Sequence, residues 1–264
     1  MNSENHSPTS RIFGLIGKKL GHSFSKKYFS AKFEQLGTDD RYELFELPVI
    51  DLFPALTEQY RSLGLTGLNV TIPYKTAVIP YLNWLSPEAA AIGAVNTIRV
   101  EENGLSGHNS DISGFRQSLE KFLAGNKPEK ALVLGTGGAA KAVKYVLEAM
   151  LSSENVTFVS RQPQNTGEIS YQELTPELIG SHRLIVNTTP LGMYPETGFA
   201  PEIPYEGMSA NHFACDLVYN PEETLFMKKA ASFGAHTCNG MDMLILQAEK
   251  SWSIWNTKPE TRVD

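Results

Sequence analysis

The chain has 264 residues, of which 41% are hydrophobic and 20% charged, a composition typical of a globular protein. Its formal net charge of −6 and the lack of a basic block argue against nucleic acid as the main partner, because clustered Lys and Arg hold phosphate backbones. The start, MNSENHSPTSR, is polar, and no run of about 18 apolar residues occurs. We therefore expect a cytoplasmic protein with no membrane partner.

Alternating apolar runs and helical patterns organise the chain. The sequence predicts strands at 11–16, 42–47, 131–134, 156–159, 184–186 and 214–218. It predicts one helix that begins after Ser25 and runs to Leu36, and two more at 50–62 and 113–123. Ser25 is a candidate cap for the first helix, Gly37 its stop, and Phe29, Phe33 and Leu36 its buried face. Strands that alternate with helices imply a parallel sheet covered by helices on both faces.

A glycine-rich turn joins a buried strand to an amphipathic helix in KALVLGTGGAAKAV, residues 130–143. Gly135, Gly137 and Ala140 fall on the G-x-G-x-x-A spacing of a dinucleotide-binding turn. Gly135 suits the tight turn, Gly137 lets the backbone approach a pyrophosphate, and Ala140 keeps helix and strand close. The motif alone is also compatible with a glycine-rich turn that binds no ligand.

Polar residues recur at every second position of GLNVTIPYK. In an extended chain the side chains of Asn69, Thr71 and Lys75 share one side and form a wall of amide, hydroxyl and ammonium groups. The alternative is an edge strand with a solvated polar face.

Two more segments carry polar pairs. Ser23 and Ser25 in HSFS can aim two hydroxyls at one carboxylate, unless Ser25 only caps the helix. Asn96 in GAVNT and Asp111 in GHNSD add an amide and a carboxylate, although Asp111 alone is more often a helix cap.

Cysteines and histidines give no sign of a metal site. Cys215 and Cys238 lack CxxC or metal-ligand spacing, and we expect buried free thiols. The six histidines are scattered, without HExxH or paired spacing, so no metal is expected.

These strings together resemble the shikimate dehydrogenase family. GKKLGHSFS, GLNVTIPYK, GAVNT, GHNSD, GTGGAAKA, NTTPLGM, DLVYNPEET and NGMDMLILQ occur in the family's order, so the likeness runs from about Ile12 to Trp255. The chain departs from the family where Ser110 stands for Thr, Ile112 for Gly and Lys26 for Pro. These positions neighbour the expected polar site.

The resemblance implies an α/β protein of two domains. Residues 1–111 with 241–264 would form the substrate-binding domain, residues 112–240 a Rossmann-like dinucleotide-binding domain, and the C-terminal helix at 243–255 would return to the first domain. Leu244, Ala248, Ser251 and Trp255 fall on one stripe of that helix, which favours packing against another body.

The implied activity is the reversible, NADPH-dependent reduction of 3-dehydroshikimate to shikimate, in the pathway to chorismate and the aromatic amino acids. Lys75 and Asp111 match the family's catalytic pair. Ser23, Ser25, Thr71 and Tyr219 match groups that hold the substrate carboxylate, and Asn96, Asp111 and Gln247 match groups that bind its hydroxyls. The cofactor residues implied are Gly135, Thr136, Gly137, Gly138, Ala139, Ser160, Arg161, Asn187, Thr188, Thr189, Leu217 and Gly240.

The choice between NADP and NAD depends on the end of the second Rossmann strand. Asp or Glu there binds the ribose 2′-hydroxyl of NAD, whereas Arg accommodates the 2′-phosphate of NADP. This chain has Ser160 and Arg161, and Asn165 where the family usually has a second basic residue. Because no carboxylate follows the strand directly, NADP is the predicted cofactor.

Three alternatives share parts of this pattern. A quinate/shikimate dehydrogenase that uses NAD has nearly every motif. A folate-type methylene dehydrogenase shares the architecture and a central lysine, but the paired serines and DLVYNP favour the shikimate side. A catalytically silent metabolite sensor has less need of both Lys75 and Asp111. The small-molecule substrate is the expected partner, and the protein is expected to be a monomer or homodimer.

Overall fold

The structure is a computed structural model that describes residues 10–21 and 23–257, so the polar start over residues 1–9 lies outside it. The chain divides into two compact units. The first unit comprises residues up to 110 together with those from 248 on, and the second comprises residues 111–247. The sequence predicts the divisions at 111/112 and 240/241, whereas these units divide at 110/111 and 247/248.

The first unit contains one mixed sheet and its helices. Its strands are β1 (Ile12–Gly17), β2 (Arg41–Glu46), β3 (Leu65–Val70), β4 (Trp84–Leu85), β5 (Thr97–Glu101) and β6 (Gly104–His108). Its helices are α1 (Phe24–Leu36), α2 (Phe53–Arg61), α3 (Tyr74–Ala77) and α4 (Pro87–Ile92), with 3-10 turns at Ile50–Leu52 and Ile79–Tyr81.

The sheet of the first unit corrects the prediction of a parallel sheet. The strand order is β2-β1-β3-β5-β6-β4, and β5 pairs antiparallel with both β3 and β6. Only residues 102 and 103 link β5 to β6, and Glu101 pairs with Gly104. A link that short forms a hairpin, which makes the two strands antiparallel.

Hydrophobic side chains pack on both faces of this sheet. On β1, Ile12 and Ile16 join one cluster with Phe53 of α2, whereas Phe13 joins another with Phe29 of α1. This alternation follows from the two-residue period of a strand. The predicted face of α1 is confirmed for Phe29 and Phe33 but is wrong for Leu36, which is 52% exposed at the helix end.

The second unit is built on a parallel sheet. Its strands are β7 (Ala131–Leu134), β8 (Val156–Ser160), β9 (Glu168–Ser170), β10 (Leu184–Asn187), β11 (Phe213–Asp216) and β12 (His236–Cys238). Its helices are α5 (Ser110–Leu123), α6 (Gly138–Leu151), α7 (Pro176–Ser181), α8 (Leu225–Ser232) and α9 (Met241–Asn256). The 3-10 turns lie at Ser153–Asn155, Tyr171–Glu173 and Tyr205–Gly207. The division between the units falls inside α5 and α9.

The strand order of the second unit is that of a dinucleotide-binding fold. The order is β12-β11-β10-β7-β8-β9, and every neighbouring pair is parallel. Counted from β7 and read from the other edge, this is the 3-2-1-4-5-6 order of a Rossmann fold, in which ligands bind at the carboxyl ends where the order reverses. The order reverses between β7 and β10. The predicted α/β class with a Rossmann-like second domain is confirmed.

The last helix, α9, continues from the second unit into the first. Ala248, Ser251 and Trp255 are buried, as their stripe predicts, whereas Leu244 on the same stripe is only partly buried. Trp255 donates a hydrogen bond from Nε1 to the Ile98 carbonyl at 2.9 Å, and its ring lies 4.9 Å from that of Phe13. The end of α9 is therefore part of the core of the first unit. In the part of the chain that the structure describes, none of the helices combines the length and the apolar character needed to cross a membrane.

The two cysteines face each other across neighbouring strands. Cys215 on β11 pairs in register with Cys238 on β12, and both thiols are free. Cys215 is buried, as predicted, but Cys238 is only partly buried because β12 is an edge strand. The hydrogen bond with Cys238, together with burial, raises the pKa of the Cys215 thiol.

Candidate active site

The segment after β3 turns instead of remaining extended. β3 ends at Val70, and Lys75 lies on the short helix α3. The predicted wall of side chains along 69–75 is therefore wrong. The edge-strand alternative is wrong as well, because β3 lies between β1 and β5 and Asn69 is buried.

Backbone hydrogen bonds join the segments that carry Thr71, Lys75 and Asn96. The N–H of Val70 donates to the Asn96 carbonyl at 2.9 Å, and the N–H of Val95 donates to the Lys75 carbonyl at 2.7 Å. Asn96 immediately precedes β5. Three of the residues implied by the resemblance are therefore placed together at the carboxyl end of β3, the edge where ligands bind in α/β sheets.

Ser23, not Ser25, caps α1. Ser23 has an extended backbone, and its Oγ accepts a hydrogen bond from the Lys26 N–H at 3.3 Å. Ser25 lies within the first turn, and its hydroxyl interacts with that of Tyr42. The prediction of Ser25 as the cap is wrong because the helix begins two residues earlier. Gly37 is left-handed and ends the helix, as predicted.

A buried amide links Tyr42 to the interior of the first unit. The Tyr42 hydroxyl donates to Asn69 Oδ1 at 2.7 Å, and burial raises the Tyr42 pKa. Asn69 Nδ2 donates to the Asn96 carbonyl at 3.2 Å and to Ser251 Oγ at 3.0 Å. The carbonyl can only accept, so it fixes which end of the Asn69 amide faces it.

Three hydroxyls form a buried cluster beside Asn96. We call Thr97, Ser110 and Ser251 the hydroxyl cluster; each has no exposed surface. The Thr97 and Ser251 oxygens are 2.8 Å apart, the Thr97 and Ser110 oxygens 3.1 Å, and the Ser110 and Ser251 oxygens 3.0 Å. Asn96 Oδ1 accepts from the Ser110 N–H at 2.7 Å and from the Thr97 hydroxyl at 3.1 Å. Because Oδ1 of Asn96 already accepts these hydrogen bonds, a ligand at Asn96 would bind to its Nδ2 group.

Three further residues implied by the resemblance belong to the second unit. Asp111 lies inside the first turn of α5, which begins at Ser110, so its interpretation as a helix cap is wrong. Tyr219 follows β11 and is half-buried. Gln247 is 9% exposed on α9, and its Nε2 donates to the Leu244 carbonyl at 2.9 Å.

The turn after β7 leaves open space where a pyrophosphate group would bind. Gly137 precedes α6, and a Cβ built on Gly137 or Gly138 meets nothing within 4 Å. Gly135 has φ +100, and its added Cβ would lie 2.9 Å from Thr188 Oγ1. Ala140 is buried. The residues from Gly135 to Ala139 therefore leave room for a dinucleotide at the N-terminus of α6.

The turns after β10 and β11 complete this edge of the second unit. Thr188 Oγ1 donates to the Leu134 carbonyl at 2.8 Å, which joins the turn after β10 to the end of β7. Asn187 Oδ1 accepts from the Thr189 N–H at 3.0 Å. Gly240 packs directly on the Leu217 carbonyl, where a Cβ has no room. These are the residues expected to line the nicotinamide half.

A buried carboxylate supports these turns. Asp216 at the end of β11 accepts from Asn187 Nδ2 at 2.9 Å, the Val218 N–H at 3.0 Å and the Thr224 hydroxyl at 2.6 Å. Burial raises the pKa of Asp216 to about 6, although these hydrogen bonds favour the charged form.

The residues expected to bind the 2′-phosphate lie at the end of β8 and directly after it. Ser160 is buried, and its Oγ accepts from the Gln162 N–H at 3.2 Å, whereas Arg161 is exposed. Asn165, at the second basic place, donates from Nδ2 to Glu168 Oε1 at 2.7 Å. A hydrogen bond from Asn165, joined by one from the Gln164 N–H, lowers the pKa of Glu168.

Sequence reasoning missed the buried polar partners. It treats Ser251 only as part of a packing stripe and gives no role to Tyr42, Thr97 or Asp216. Polar residues inside the apolar patterns of β2 and α9 are the signal that could have found two of them. Over the described residues, no group of three or more His, Cys, Asp or Glu side chains is placed to hold a metal ion.

Comparisons of the sequence and of the structure with known proteins agree with the fold described above. Residues 15–98 match the family model described as the shikimate dehydrogenase substrate binding domain. Shikimate dehydrogenase (NADP(+)) of Clostridium beijerinckii is 39% identical, with 92% of this chain and 91% of that protein covered. The structure of shikimate 5-dehydrogenase from Thermus thermophilus in complex with NADP(H) and shikimate is 35% identical, covers 93% of each chain and has a TM-score of 0.78. Quinate dehydrogenase from Corynebacterium glutamicum in complex with NAD is 28% identical, covers 94% of each chain and has a TM-score of 0.84. The chain belongs to the shikimate dehydrogenase family.

Proposed function

We propose that this chain catalyses the reversible, NADP-dependent reduction of 3-dehydroshikimate to shikimate in the shikimate pathway. The observation that carries the proposal is the placement of Thr71, Lys75 and Asn96 on hydrogen-bonded segments at the carboxyl end of β3. Together they offer a hydroxyl, an ammonium and an amide to one small polar ligand. A hydroxylated ring acid needs donors of these kinds.

Lys75 supplies the proton in this proposal. Its ammonium donates to the substrate oxygen as the carbonyl becomes an alkoxide, and the neutral amine takes the proton back in the reverse direction. The family resemblance gives Asp111 the role of the partner carboxylate. The short helix α3 holds Lys75 through its backbone bond to Val95.

The remaining substrate residues divide by the group that they meet. Ser23, Ser25, Thr71 and Tyr219 hold the carboxylate, because hydroxyl donors suit an anion. Ser23 also lies where the N-terminus of α1 favours negative charge. Asn96, Asp111 and Gln247 bind the ring hydroxyls.

The cofactor-binding residues belong to the second unit. The segment from Gly135 to Ala139 holds the pyrophosphate at the N-terminus of α6, and the open space at Gly137 supports this role. Residues 187–189, Leu217 and Gly240 line the nicotinamide half, while Ser160 and Arg161 bind the adenosine ribose and its 2′-phosphate. The bound cofactor supplies the hydride, so the protein must orient the substrate and move the proton.

Oxidation of quinate with NAD is the second candidate. Two observations favour it: the likeness to quinate dehydrogenase in complex with NAD, and the engagement of Asn165 with Glu168. A single basic residue, Arg161, is then left at the expected 2′-phosphate position. The shared architecture leaves both substrates compatible with the fold.

Steady-state kinetics on the purified chain tests both functions. The formation of reduced cofactor is followed with shikimate and quinate, each with NADP and NAD. We expect the highest kcat/KM for shikimate with NADP. A preference for quinate with NAD would favour the second candidate, and inactivity in all four combinations would contradict both.

A further inference from the structure

Hydrogen bonds through the hydroxyl cluster connect Asn69 to Asn96. Tyr42 donates to Asn69 Oδ1, and Asn69 Nδ2 donates to Ser251 Oγ. The Ser251 and Thr97 oxygens lie 2.8 Å apart, where either hydroxyl can donate, and Thr97 Oγ1 donates to Asn96 Oδ1 at 3.1 Å. Ser110 Oγ also donates to Asn96 Oδ1, at 3.2 Å, and in such a network each bond polarises its neighbours.

The orientation of the Asn96 amide follows from its partners. The Ser110 N–H, a backbone donor that cannot accept, lies 2.7 Å from Oδ1. The Thr97 hydroxyl adds a second donor to the same oxygen. An amide turned by 180° would place NH₂ against the Ser110 N–H, which can only donate, and lose that bond, so Asn96 keeps Nδ2 for the ligand.

We propose that Thr97 and Ser251 are positioning residues that hold Asn96 with its Nδ2 donor toward the substrate. Neither touches the substrate, since both are fully buried. The inference rests on the proposed function and deepens it: the ligand atom at Asn96 is a hydrogen-bond acceptor, such as a lone pair of a ring hydroxyl on a polyhydroxy acid. Because Ser251 lies on α9, this helix also helps to hold Asn96 in place.

Thr97→Val is the main test, because valine keeps the shape of threonine and removes the hydroxyl. We expect about a fivefold loss of shikimate affinity, the effect of one neutral hydrogen bond, measured by titration calorimetry on the full chain with saturating NADPH, with which shikimate does not react. Ser251→Ala should act in the same direction and provides a second variant if Thr97→Val does not fold. Affinity for the cofactor should stay constant in both.

Thr57→Val is the matched control. Thr57 is also buried in the first unit, and its Oγ1 donates only within α2, to the carbonyls of Phe53 and Pro54. We expect Thr57→Val to lower the melting temperature without changing shikimate affinity. If Thr97→Val and Ser251→Ala behave like this control, the cluster is structural and the proposal is wrong.

A double-mutant cycle with Asn96→Ala, measured as kcat/KM for shikimate, tests whether Thr97 acts through Asn96. It distinguishes that role from a direct contact with the substrate and from a general loss of stability. In the Asn96→Ala background, Thr97→Val should cause almost no further loss, because the residue it positions is gone. A full additional fivefold loss would overturn the proposal. A wild-type chain that does not oxidise shikimate would instead refute the proposed function, so the two failures are distinguishable.

Discussion

Both units bury polar side chains at the carboxyl ends of their strands, but those of the first unit are neutral, whereas those of the second unit include an ionisable carboxyl group. The first unit buries amides and hydroxyls, which are neutral at any ordinary pH, around Asn69 and Asn96. The second unit buries the carboxylate of Asp216. A neutral cluster orients polar side chains without the desolvation cost of an ion, whereas a buried charge makes stability depend on pH.

The units also differ in what they offer to a ligand. The first unit presents side chains whose orientation is set by other side chains. The second has an open glycine turn before α6, and Thr188 Oγ1 joins the turn after β10 to the end of β7 beside it. Side chains can discriminate among hydroxyl positions, whereas a backbone turn suits the phosphates that all dinucleotides share.

Lys75→Ala gives the largest expected effect and tests the role of side chains in the first unit. Turnover should fall about 10²- to 10⁴-fold, the range for loss of a general acid–base group, while the KM for shikimate changes little. The melting temperature should stay near that of the wild type, because Lys75 is only partly buried. The control is Lys250→Ala, at an exposed position on α9. A turnover loss below about tenfold would argue against Lys75 as the proton donor.

Arg161→Ala tests whether side-chain recognition in the second unit is limited to the 2′-phosphate. The KM for NADP should rise about ten- to hundredfold, because a charge-assisted hydrogen bond is lost, and that for NAD should change little. Arg183→Ala, at an exposed position just before β10 and at the other end of the sheet, is the control. Equal losses with both cofactors would mean that Arg161 supports the loop or the adenine instead.

Asp216→Asn tests the buried charge of the second unit. The native pKa of about 6 exceeds the ordinary 3.8, so between these values the folded state binds the proton and the unfolded state does not. This group therefore stabilises the protein at low pH, and its contribution falls as pH rises through about 6. Urea unfolding should show that the wild type loses on the order of 1 kcal/mol more than Asp216→Asn between about pH 5 and about pH 7.5.

The control for this experiment is Asp242→Asn, which removes an exposed carboxylate of the same unit that pairs with Lys121. Its pH dependence should match that of the wild type. If Asp216→Asn also matches the wild type, the carboxylate is not held in the environment that the structure gives it.

Ser23→Ala gives the smallest expected effect. Loss of the cap of α1 should lower the free energy of unfolding by about 1 kcal/mol and weaken shikimate binding. Ser86 caps α4 through the Ala89 N–H at 3.2 Å, so Ser86→Ala should cost similar stability and leave shikimate affinity unchanged. Equal binding by the two variants would leave Ser23 with a capping role only.

The sequence predicts the second unit better than the first because its signals are local. The glycine turn, β7 and α6 lie within residues 130–151, and their spacing alone indicates the fold. In the first unit, the two-residue link after β5 decides strand direction, and the prediction missed the Asn103-Gly104 dipeptide, which indicates such a hairpin. The hydroxyl cluster depends on partners separated by 13, 154 and 182 positions, so spacing along the chain does not reveal it.

The position of α9 has a consequence for synthesis on the ribosome. Residues 111–247 form a continuous unit, which can fold once its last residue emerges. The first unit lacks Ser251 and Trp255 until the second unit has been translated, and until then Gly67, Phe13 and Phe29 lack the ring that packs on them. The aromatic core of the first unit is therefore completed only after the second unit has been made.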